Sequence, residues 1–141
     1  MDAQRFRKLA EELAGREPGL ALRLRDARDA ARSLRDATFD ALEAFRQRAS
    51  EIGAPFLGNV EVSPVEPDEK HIDAVQFRIS RGRLQVLCVA IARGEGKMRL
   101  VGPFKRGKDE GPCAEAGLRG AEVEKLLEER VEALLREAAG A

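Results

Sequence analysis

Between Leu20 and Ile52 one apolar series runs without a break. Its members are Leu20, Leu24, Ala27, Ala31, Leu34, Thr38, Ala41, Phe45 and Ile52, with Arg48 the single charged one. Steps of four and three residues put all of them on one side of an α-helix. At about 1.5 Å per residue the run spans roughly 50 Å, whereas a domain of this size is only about 30 Å across. Alanines at positions 30, 37, 44 and 49 widen the stripe beyond a coiled-coil seam and permit close approach of neighbouring helices. A rod of this length and width calls for cover from other helices, from a second chain, or from both.

The remaining periodicities fill in an α+β pattern. Phe6, Leu9, Ala10 and Leu13 form the apolar side of a short helix over residues 2–14, stopped by the Gly15-Arg16-Glu17-Pro18-Gly19 segment. A helix that short is marginal alone, so the pattern predicts an unequal hairpin with the long helix. Beyond Gly53-Ala54-Pro55 the period drops to two. Strands are expected at Asn59–Val65, His71–Ser80, Arg83–Arg93 and Lys97–Phe104, with Arg81-Gly82 and Gly94-Glu95-Gly96 as turns and Glu66–Lys70 as a loop. Residues 105–119 read as an irregular connection, and the helical period returns over 120–138 through Val123, Leu126, Leu127, Val131, Leu134 and Leu135. The expectation is a single α+β domain of order α-α-β-β-β-β-α. A helical hairpin (1–52) packs on a four-stranded antiparallel meander sheet (57–104), and a C-terminal helix closes the chain.

The third of these strands is apolar on both sides: Leu84, Val86, Cys88 and Ala90 on one, Leu87, Val89 and Ile91 on the other. Such a strand is normally covered on both faces. Helices of the same chain supply one cover, and a second copy is a candidate for the other. Together with the long rod this predicts a homodimer.

Composition narrows the function classes. Twenty-five basic and 25 acidic residues cancel over 141 positions, so no basic surplus calls for nucleic acid or an anionic membrane surface. The chain has six Phe but neither Tyr nor Trp, which weakens sugar- and base-stacking readings. The N-terminus is charged and amphipathic rather than signal-like, and no apolar run reaches membrane-spanning length. Two widely spaced cysteines, Cys88 and Cys113, do not form a disulfide framework. A cytoplasmic setting is therefore expected, and the arginine and alanine bias fits a GC-rich bacterial genome.

Few residues carry chemistry. His71 is the only histidine; it stands two positions before Asp73 on the same strand face, so the two could approach as a base and its orienting carboxylate. One histidine and two distant cysteines make a poor zinc set, and neither a P-loop nor a dinucleotide fingerprint occurs. The carboxylate pairs Glu11-Glu12, Asp68-Glu69, Asp109-Glu110 and Glu128-Glu129 read as solvated surface. Cys113 lacks a histidine nearby and makes a weak nucleophile candidate. No cofactor is expected.

The candidate binding residues are the basic group Lys97, Arg99, Lys105, Arg106 and Lys108, on and beyond an edge-like fourth strand, and Phe39, which projects from an arginine-rich helix face. A Gly-containing basic loop suits an anion or an acidic partner, while charge on an edge strand also blocks unwanted pairing. The leading expectation is a non-enzymatic, adaptor- or chaperone-like protein-interaction module acting as a homodimer, with another protein as a candidate partner. The alternative is a small-molecule binder whose apolar cavity between sheet and helices is lined by Phe77, Ile79, Val89, Ile91 and Val101.

Overall fold

In a computed structural model, which describes residues 1–68, 70–108 and 111–140, the rod is unbroken. Helix α1 spans Ala3–Gly15, α2 Leu20–Glu51 and α3 Ala121–Ala138. Asp2 caps α1, its carboxylate accepting the backbone N–H groups of Gln4 and Arg5. Gly19 at φ +77° starts α2, a left-handed conformation that favours glycine. A short 3-10 helix, Pro55–Gly58, follows α2.

The sheet corrects the expected count and order: among the described residues six strands are present, not four. They are β1 (Glu61–Val62), β2 (Glu66–Pro67), β3 (Ala74–Arg81), β4 (Leu84–Ile91), β5 (Lys97–Lys105) and β6 (Cys113–Ala116). All pairings are antiparallel, in the order β1-β3-β4-β5-β6, with β2 beside β1 on the same margin of β3. The expected strand over 59–65 is therefore two short pieces, the second of them where a loop was expected. Val62 pairs with Ile79 and Glu66 with Gln76, so four steps along this margin answer three on β3. The extra residue falls at Ser63-Pro64-Val65, where proline has no N–H to give the ladder. Ser63 stitches the gap, its backbone N–H donating to the Arg78 carbonyl and its hydroxyl accepting the Arg78 N–H.

The segment read as irregular, 105–119, contributes β6, which pairs along β5 from Met98–Ala116 to Val101–Cys113. The fourth strand expected from the sequence, β5, is thus interior rather than edge-like. Its ladder with β4 shifts register between Gln85 and Leu87. Gly102 makes the shift possible: at φ +113° a Cβ would stand 2.6 Å from the Gln85 carbonyl oxygen.

Alternation assigns the two faces of the sheet. Val75, Phe77, Ile79, Val86, Cys88, Ala90, Met98 and Leu100 point toward the helices and are buried. Ala27, Ala31 and Leu34 of α2 and Val123, Leu127 and Leu134 of α3 close over them as one core. The opposite face carries no helix. α1 contributes no buried residue and no member of the core that α2 closes.

Phe77, fully buried at the centre of this core, tests the packing. Phe77→Ala is expected to lower the free energy of unfolding by about 3–5 kcal/mol, measured by denaturant titration.

Candidate functional site

α2 and α3 cover the same sheet face yet scarcely touch one another. Their N-terminal ends lie together, because Arg119, just ahead of α3, donates to the Asp26 carboxylate at 2.7 Å. From there both helices run the same way and leave a groove of about 580 Å³ between them. Ala37, Ala41 and Phe45 of α2, Leu57 of the 3-10 helix, and Val131, Leu135 and Ala139 of α3 line it. These positions continue the core stripes of both helices, and Phe45, Leu57, Val131 and Leu135 are only half-buried there. The hydroxyl of Thr38, also in the groove, donates to the Leu34 carbonyl at 2.7 Å, so even this polar member offers little to a ligand. Charge is confined to the α3 rim, where Glu124, Glu128, Glu132 and Arg136 follow at helical spacing. Arg136 pairs with Glu132 at 2.8 Å.

The uncovered sheet face holds a second hollow, of about 540 Å³. Leu87, Val89, Ile91, Val101 and Phe104 form its apolar floor, and Asp68, His71, Asp73, Arg78 and Arg99 its walls. The cavity residues expected from sequence are consequently divided between the two faces. Phe77 and Ile79 are sealed beneath the helices, while Val89, Ile91 and Val101 belong to the open side. His71 and Asp73 border this hollow, but the Asp73 carboxylate is held by Arg93 at 3.2 Å. His71 is exposed, and the proposed base–carboxylate pairing is not made.

The basic cluster is dispersed and partly neutralised. Lys97 and Arg99 share a face of β5, and both turn to Glu115 on β6, Arg99 at 3.0 Å and Lys97 at 3.9 Å. Lys105 closes β5, and Arg106 and Lys108 stand exposed beyond it. Glu69, Asp109 and Glu110, members of the carboxylate pairs noted in the sequence, lie outside the described residues.

Phe39 is sandwiched between guanidinium groups, 5.1 Å from Arg35 and 5.9 Å from Arg46. The same two arginines clasp the margin of the sheet. Arg35 donates to the carbonyls of Val62 and Ser63, and Arg46 to those of Gly58 and Val60. Arg81 adds bonds to the Phe56 and Leu57 carbonyls. Phe39 thus serves as a platform that orients the clasp.

Chemistry is sparse elsewhere. Among the described residues no group of three or more His, Cys, Asp or Glu could hold a metal ion, and no helix is long and apolar enough to cross a membrane. Cys88 is buried and Cys113 exposed, both as free thiols. Burial pushes the Cys88 thiol well up from its ordinary range, so it stays protonated and inert.

Comparison with family models, with curated proteins and with solved structures finds no match to this chain.

Sequence reasoning did not single out Phe45, Val131 or Leu135 as surface. Their period matches that of core residues, and only the separation of α2 from α3 distinguishes them.

Two outcomes follow. Arg46→Ala strands the Gly58 and Val60 carbonyls and is expected to cost about 1–3 kcal/mol in denaturant unfolding. A thiol-specific reagent is expected to label Cys113 in the native protein and Cys88 only after denaturation, with the unfolded chain giving twice the native thiol count.

Proposed function

We propose that this protein is a non-enzymatic interaction module that acts as a homodimer. The observation that carries the reading is the unfilled apolar groove between α2 and α3, lined by residues that continue the core. A groove bounded by two helices is the form in which proteins receive an amphipathic helix. Three large apolar side chains of α1, Phe6, Leu9 and Leu13, are exposed as well, and a contiguous apolar patch on a small domain marks an interaction site. The second face supports a role beyond self-association. Dimerisation through the helices leaves the hollow floored by Leu87, Val89, Ile91, Val101 and Phe104 free to meet another protein. Free thiols at Cys88 and Cys113 suit a reducing cytoplasm.

A second reading rests on the same groove. Its volume of about 580 Å³ lies in the range that holds small apolar ligands, about 300–1,000 Å³. That would make the protein a binder of apolar small molecules.

Size-exclusion chromatography with light scattering tests the first reading. A mass twice that of the chain at micromolar concentration is expected, and a monomer there overturns it. A dimer whose melting temperature is unmoved by long-chain fatty acids speaks against the second reading; a monomer stabilised by them favours it.

A further inference from the structure

We propose that the groove between α2 and α3 receives α1 of a second copy of this chain, the two copies exchanging α1 reciprocally. This rests on the dimer reading above and names the segment that makes the contact.

Three observations select α1. The first is fit. α1 has 13 residues, about 20 Å of helix, and the groove extends along α2 from Leu34 to Phe45, about 17 Å. Phe6, Leu9 and Leu13 fall on one side of α1, each between 42% and 54% exposed, and no residue of the helix is buried. The second is reach. Only Arg16–Gly19 separates α1 from α2. Folded back along its own α2, α1 would lie beside residues 20 to 32, short of Leu34 where the groove begins. Its own groove is out of range, and that of another copy is not.

The third is charge. α3 carries six glutamates against three basic residues, and among the described residues Glu124 and Glu128 on the rim have no basic side chain within ion-pair distance. α1 carries Arg5, Arg7 and Lys8 in its first half and Glu11 and Glu12 in its second. Arg5 and Glu12, seven apart, flank its apolar side on the same edge. Glu128 and Arg136, eight apart, stand on the same groove rim. Laid parallel to α3, α1 brings Arg5 to Glu128 and Glu12 to Arg136, whereas the reverse direction sets Glu12 among glutamates. Parallel placement also closes under a two-fold axis. α3 and α2 run the same way, so each α1 turns back into its own α2 while the two α2 rods run antiparallel. α1 then lies between the first half of its own α2 and the groove of its partner, an isologous contact.

The test uses the full chain in a Cys113→Ser background. Leu9→Cys combined with Val131→Cys is expected to give, on mild oxidation, a covalent dimer on a denaturing gel; a disulfide within one chain, or none, overturns the proposal. In parallel, Phe6→Asp with Leu13→Asp alters side chains that are exposed and lie outside the core of their own chain, and circular dichroism checks that the fold persists. The dimer dissociation constant is expected to rise about a hundredfold or more. Arg5→Glu is expected to weaken association about tenfold, and Glu128→Arg to restore it. A wild-type monomer removes both this proposal and the dimer reading. A wild-type dimer untouched by the α1 changes, yet dissociated by Leu135→Asp, leaves the dimer reading standing and sinks the assignment of α1.

Discussion

The central strand β4 is apolar on both faces, and the chain has helices enough to cover one. Five ladder positions at about 4.8 Å spacing make a sheet roughly 20 Å wide, and helices about 10 Å across cover it in pairs. α2 and α3 divide that task, α2 over β1, β3 and β4, and α3 mainly over β5 and β4. Everything else follows from this division. The core is closed at the sheet surface by Phe77, Ile79, Met98 and Leu100. The outer flanks of the two helices do not close on each other, and the far face of the sheet is left to solvent.

The margin beside α2 is the most engineered part of the fold. β1 and β2 are two residues each, too short to be held by ladder bonds alone. The carbonyl of Val62 in β1 and those of Gly58, Val60 and Ser63 on either side of it are taken up by guanidinium groups reaching down from α2, which also lie over the Phe39 ring. An arginine fork on a backbone carbonyl satisfies an acceptor that would otherwise face the helix unpaired. This explains why an aromatic residue stands outside the apolar stripe of α2, among arginines.

Long elements were legible in the sequence because period carries information only over several turns or alternations. α2 and α3 lie close to their expected bounds, and β3, β4 and β5 follow the alternation around Phe77, Val86 and Leu100. The short strands were not legible. Glu66-Pro67 and Cys113-Ala-Glu-Ala have no strand character of their own, and each pairs because a longer neighbour offers an open row of backbone groups. Charge type could be read at Lys97 and Arg99, but their partner Glu115, 16 residues beyond Arg99, emerges only once β6 folds back. The groove was hidden for the opposite reason: Phe45, Val131 and Leu135 carry the signal of interior residues and stand at a surface.

The broken strand beside α2 has a consequence for how copies of this protein pile up. Pro64, Pro67 and the arginine clasp deny that rim to any incoming strand. Among the described residues the Cys113–Ala116 rim is the sheet's other margin. Strand addition can therefore occur once, rim to rim, and then has nowhere to continue. A molecule so built can join a neighbour edgewise, but it cannot seed an endless ribbon.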